Sequence, residues 1–206
     1  INTSGASMVA WNWDMGADTP TGFGCVTYKG NGGTQDISGF GFSPDLVWFK
    51  GRSNNDEPRI MDTVRGLHKT SKPHQTVAED SDETNGLTKY TPDGVFIGSQ
   101  STINTNGNTY VVWGWDMGGT TATNTSGTIN SQVRANTTYG QSIVSYTGNG
   151  TAGATVGHGL GAEPDVVIVK RRDSADNWIV TRVPNYHMTL QTTNTEGASS
   201  NNFVRS

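Results

Sequence analysis

One stretch of this chain occurs twice. Ile1-Asn2-Thr3-Ser4-Gly5, then Val9-Ala10-Trp11-Asn12-Trp13-Asp14-Met15-Gly16, returns as Ile103-Asn104-Thr105-Asn106-Gly107, then Val111-Val112-Trp113-Gly114-Trp115-Asp116-Met117-Gly118. The spacing holds at 102 residues through the block, with no gap. Self-similarity at a fixed period is the signature of a repeat architecture, so it constrains the fold before any single residue does. Two more blocks recur in order. Val26-Thr27-Tyr28-Lys29-Gly30-Asn31-Gly32 returns as Val144-Ser145-Tyr146-Thr147-Gly148-Asn149-Gly150, and Pro44-Asp45-Leu46-Val47-Trp48-Phe49-Lys50 returns as Pro164-Asp165-Val166-Val167-Ile168-Val169-Lys170.

The order of the blocks divides the chain. Residues 1–18 read as the closing strand of a preceding repeat, and residues 19–118 as one complete repeat. Residues 119–138, rich in Thr, Asn and Ser, read as a linker. Residues 139–206 read as a second repeat, incomplete at its C-terminal end. Setting Asn202-Phe203-Val204-Arg205-Ser206 on Gly94-Val95-Phe96-Ile97-Gly98-Ser99 puts Ile1 of a following copy about three or four residues beyond Ser206. The chain therefore reads as two periods of a longer array.

Within the blocks the apolar spacing is that of strands. Val9, Trp11 and Trp13 alternate, as do Val111, Trp113 and Trp115, so each set shares one sheet face. The valine two places before the first tryptophan in both copies favours a core-facing set. Leu46-Val47-Trp48-Phe49 and Val166-Val167-Ile168-Val169 are apolar on both faces, as expected of central strands covered on both sides. Pro44 and Pro164 precede them, where a missing N–H does not break a ladder. Tyr-x-Gly-Asn-Gly ends a strand in a tight turn, and Pro92-Asp93-Gly94 makes another before Val95-Phe96-Ile97. Twenty-seven glycines, many Thr and Asn and little Leu fit turns and strands rather than helices. Thr63 to Lys69 alone has the makings of a short helical turn. The expected fold is all-β: tandem antiparallel β-sandwich repeats with little or no helix.

Charge and length exclude some roles. Net charge is −4 with 16% charged residues, and the densest basic run is Lys170-Arg171-Arg172. Nucleic-acid binding needs a basic face and is disfavoured. No apolar run approaches the roughly 18 residues of a membrane span, so membrane insertion is not expected. The single cysteine, Cys25, cannot form a disulfide within the chain. The mean hydropathy of −0.53 would suit a disordered chain, but the repeated aromatic strands argue against that.

A longer run of motifs carries a resemblance. Tyr28-Lys29-Gly30-Asn31-Gly32, Pro44 to Lys50, Asp62-Thr63-Val64-Arg65-Gly66, Asn85-Gly86-Leu87, Asp93-Gly94-Val95-Phe96-Ile97-Gly98 and Thr109-Tyr110-Val111-Val112-Trp113-Gly114-Trp115 resemble a repeated domain of tailed-phage virion proteins. That domain is common in tail-fibre-like proteins of marine phages and is similar to the concanavalin A-like (jelly-roll) sandwich superfamily. The resemblance covers residues 24–118 and the first part of 139–206. The second copy departs after Trp178, where Thr181-Arg182-Val183-Pro184-Asn185 replaces Asp-Thr-Val-Arg-Gly, which puts any role of Arg65 in doubt there. The resemblance implies a non-enzymatic structural or adhesive protein of the virion, hence extracellular, with no catalytic residues and no cofactor. The implied partners are further copies of the chain, other virion proteins or host-surface glycans.

Candidate chemistry is thin beside its plainer readings. Gly157-His158-Gly159-Leu160-Gly161-Ala162 spells a dinucleotide fingerprint, but a strand follows where a helix N-terminus should hold pyrophosphate, so a turn is expected. Asp80-Ser81-Asp82-Glu83-Thr84-Asn85-Gly86 offers oxygens to Ca²⁺ but lacks glutamate at the twelfth position, so a solvated loop is favoured. His68, His74, His158 and His187 have no zinc spacing, and no metal site is expected. Trp113 and Trp115 are the candidates for stacking on a glycan. Met8, Val9, Trp11 and Trp13 are the candidates for pairing with a neighbouring unit as an added strand. A carbohydrate-binding module of a secreted or surface protein, and a fragment of a polysaccharide depolymerase, are the alternative functions.

Overall fold

The computed structural model describes residue 12 and residues 22–81, 83–182, 186–193 and 197–198. The strands are β1 (Phe23–Lys29), β2 (Gln35–Ser38), β3 (Leu46–Gly51), β4 (Arg59–Asp62), β5 (Leu87–Thr91), β6 (Gly94–Ile97), β7 (Thr109–Trp115), β8 (Ala122–Asn124), β9 (Ser131–Asn136), β10 (Gln141–Tyr146), β11 (Val166–Val169), β12 (Ile179–Arg182), β13 (Tyr186–Thr189) and β14 (Gly197–Ala198). A single helical turn, α1 (Ser101–Asn104), precedes β7. The fold is all-β, as the turn-rich, alternating sequence requires.

The first unit is a sandwich of two antiparallel sheets, β1-β7-β3-β4 and β2-β6-β5. Alternation decides what lies between them. Val47 and Phe49 of β3, Met61 of β4 and Val112 of β7 meet Ile37 of β2, Leu87 of β5 and Val95 and Ile97 of β6, with Ile103 of α1 at one end. Fully burying each such side chain is worth roughly 1.5–3 kcal/mol. Gly114 sits on the same inward face because the Phe40 ring fills that space; a Cβ there would lie 2.5 Å from it.

Asn104 pins the first turn to this core. It is fully buried, and its Nδ2 donates to Gly33 O (2.7 Å) and Gly98 O (2.8 Å), while its Oδ1 accepts from Asn31 N (2.9 Å). The Gly30-Asn31-Gly32 turn is thereby held by a residue 73 positions from Asn31 in the sequence, at the same end of the sheet.

The second unit repeats part of this plan. The pairs of β3 with β4 run from Leu46↔Asp62 to Phe49↔Arg59. Those of β11 with β12 run from Val166↔Arg182 to Val169↔Ile179, which is the same register carried forward. β10 holds the sequence position of β1. The strands of this unit form two described sheets, β10-β9-β8 and β11-β12-β13-β14.

Three expectations meet differences. Residues 119–138, read as a linker, carry β8 and β9; Ser131, Val133 and Ala135 alternate, which the Thr/Asn composition obscured. Thr63 to Lys69 makes turns without a helix, and the helical turn falls instead at Ser101–Asn104. The strand Val166–Val169 is not covered on both sides, since Val166 and Ile168 are 45% and 51% exposed.

Candidate functional site

The outer face of the β1-β7-β3-β4 sheet is a row of apolar side chains. Backbone register sets Cys25 beside Trp113, Trp113 beside Trp48, and Trp48 beside Ile60, one residue from each of four strands. The Trp48 and Trp113 rings meet edge to face, with centroids 6.3 Å apart and planes at 73°. The next row sets Trp115 against Phe23, at 4.9 Å and 47°. Trp48, Trp113 and Trp115 are half-buried, and Cys25 is exposed.

This corrects the core-facing expectation for Trp113 and Trp115. They do share a face, but it is the one turned away from the core cluster. Period-two alternation fixes which residues go together, not which way they point. The second sheet packs on the face that carries Val47, Phe49 and Val112, and the tryptophans are left outside. Met8, Val9, Trp11 and Trp13 lie outside the described residues. Of two half-open indoles set at 73°, one can lie flat against an apolar ligand face while the other meets that ligand by its edge.

A second feature is ionic and joins the two units. Glu79 accepts from Arg65 (2.9 Å) and from Arg172 (Nη2 to Oε1, 2.9 Å), so its carboxylate lies between an arginine of each unit. Arg65 is also paired with Asp62. Burial works against ionisation of Glu79, but the bonds from Arg172 and Arg65 outweigh it and hold the carboxyl below its usual range. Beside them, Trp178 is buried and donates its Nε1–H to Lys72 O and Gln75 O, each at 3.1 Å. Backbone bonds Glu79 N to Arg172 O (2.7 Å) and Asp176 N to Thr76 O (2.8 Å) complete the seam.

The second unit touches the first again through Arg134, whose Nη2 lies 2.9 Å from Asp45 Oδ1. Asp45 Oδ2 accepts from Met117 N (2.9 Å). Burial pushes the Asp45 carboxyl up to about 6, against the pull of Arg134 and the Met117 amide.

The remaining sequence candidates have structural partners. Glu83 of the acidic loop is buried rather than solvated, with Arg59 at 2.7 Å and Thr70 at 3.0 Å. Gly159 and Gly161 take positive φ, and β11 follows that turn. His74 faces Glu57 at 3.5 Å, and His68 Nδ1 faces Glu83 O at 3.2 Å. Among the described residues no group of three His, Cys, Asp or Glu side chains is placed to hold a metal ion. Sequence reading missed Asn104, although Ile-Asn-Thr stands in both copies of the first block. It also missed the pairing of Glu79 with Arg172, which no local pattern marks.

A family model described as a domain of unknown function, DUF7483, matches residues 18–206. No curated protein and no solved structure matches the chain.

Proposed function

The chain belongs to the DUF7483 family, whose function is unknown, and from its repeat and its inter-unit seam we propose that it is a non-enzymatic structural or adhesive virion protein, a tail-fibre-like appendage built from tandem β-sandwich units. The observation that carries this reading is the seam between units. Two copies of one strand plan are held together by Arg65, Glu79, Arg172 and Trp178, with side chains and backbone both engaged. A stiff joint between repeats suits a part that must project and bear load. The run of motifs resembling tail-fibre-like proteins points the same way. The buried carboxylates Asp45, Asp62 and Glu83 are each paired with an arginine, which fits support better than proton transfer. The test is immunogold electron microscopy: antibodies against the chain are expected to label appendages on virus particles purified from the source culture. Particles that carry no label would overturn the assignment.

A second reading, glycan contact, is favoured by the outward row of Trp48 and Trp113. On a glycan array the expected result is binding that Trp113→Ala removes while the thermal unfolding midpoint holds. An array blank for the unaltered chain would remove glycan contact and leave the structural role standing.

A further inference from the structure

The geometry points to an added strand in the second unit: residues 7–13 of a second copy of this chain lie between β10 and β11. In the first unit β7 lies between β1 and β3, from Phe23↔Trp115 and Leu46↔Trp115 to Lys29↔Thr109. β10 and β11 are the sequence equivalents of β1 and β3, and β11 meets β12 in the register in which β3 meets β4. Among the described residues, no strand pairs with the second edge of either β10 or β11.

The open edge of β10 is the correct one. In the first unit Asp116 N donates to Gly22 O, so the even-numbered residues of β1 turn their amides to β7. The β9–β10 hairpin closes on Asn136↔Gln141 around a turn ending in Gly140 at φ +66°. A pair that closes such a loop faces inward, so the odd-numbered residues of β10 turn to β9. Ser142, Val144 and Tyr146, the equivalents of Gly24, Val26 and Tyr28, turn their amides to the other edge of β10. Arg172, just past β11, donates to Ser145 Oγ at 2.7 Å, which keeps the two edges within one arginine's reach.

The edges are also apolar where they should be wet. Val166 and Ile168 are 45% and 51% exposed and Tyr146 is 41% exposed, three of the five exposed large apolar side chains among the described residues. Exposed apolar edge strands invite an added strand. Its sequence is indicated by the strand that does this work in the first unit. Ser7-Met8-Val9-Ala10-Trp11-Asn12-Trp13 is Thr109 to Trp115 at the constant spacing of 102. Asn12, the one described residue of this segment, is exposed. Carrying the register over puts Trp11 between Ile143 and Ile168, as Trp113 lies between Cys25 and Trp48. Such a contact is head-to-tail, so it builds arrays rather than closed dimers.

The test mixes two full-length variants, both in a Cys25→Ser background, one with Trp11→Cys and one with Ile143→Cys. Under mild oxidation the mixture is expected to yield a disulfide-linked heterodimer. No cross-link in the mixture overturns the proposal. So does a chain carrying both cysteines that closes on itself as a monomer at every dilution, because the occupant is then its own segment. Hydrogen exchange on the unaltered chain guards against misfolded variants. Protection in β10 and β11 is expected to rise by at least about tenfold with protein concentration while that of β3 and β7 stays constant. Protection independent of concentration overturns the second-copy occupant.

Discussion

β3 and β11 are near-copies with different surroundings. Both follow a Pro-Asp pair, and both meet the next strand in one register. Val47 and Phe49 of β3 are fully buried, whereas Val167 and Val169, their equivalents, are half-buried, and Val166 and Ile168 are exposed. Local sequence sets strand identity and pairing; burial comes from what lies alongside. β3 has β7 on its flank and the β2-β6-β5 sheet beneath it, and the described part of the second unit gives β11 neither. The same short motif is thus a core strand in one place and an edge in the other.

The contrast can be broken most forcefully by truncating matched positions. Phe49→Ala is expected to cost about 3–5 kcal/mol in denaturant unfolding, and Val169→Ala about 1 kcal/mol or less, because only the first leaves a sealed cavity. Equal losses would mean that the second unit is as closely packed as the first. Next in size is Asn104→Ala. It strands the carbonyls of Gly33 and Gly98 and is expected to cost roughly 2–3 kcal/mol, with the loss of amide protection centred on residues 30–34.

Arg172→Ala asks whether the units melt together. The side chain is 40% exposed and Glu79 keeps its bond to Arg65, so a loss of about 1 kcal/mol is expected. It should register as faster exchange in residues 72–80 with the first core unchanged. The last effect is a slope. Asp45 has an ordinary value of 3.8 and stands at about 6 in the fold, so the folded state holds that proton more tightly than the unfolded chain. Its contribution to stability is full below about 3.8 and is lost as pH rises through 6. Asp45→Asn should flatten stability against pH across that window, as read by thermal melts. Persistence of the slope would assign it to another group.

Much of the first unit was legible in the chain. Alternation in Val111, Trp113 and Trp115 gave a strand, Pro44 gave a strand start, and Asn-Gly pairs gave turns, since each rests on local stereochemistry. The inward face of that strand was not legible, because period two is symmetric until a second sheet chooses a side. Asn104 carried a readable trace, its repetition at Asn2, but its role depends on Gly33 and Gly98 arriving from elsewhere. The Glu79–Arg172 pair spans 93 residues and leaves no local trace. Ser131 to Asn136 went unread because Ser, Gln and Asn mask an alternation with only Val133 and Ala135 on its apolar side.

Cys25 gives the outer sheet face its own reporting position. It is the one thiol of the chain, exposed, and one strand away from Trp113. A dye attached there would sit within quenching distance of an indole, so its brightness would track whatever comes to rest on the Trp48–Trp113 row. Burial lifts the thiol above its usual range and Arg52 draws it only partly back, so attachment will run faster in mildly alkaline buffer. An unaltered chain can thus be read optically at the surface where a ligand is expected, with no cysteine to add or remove.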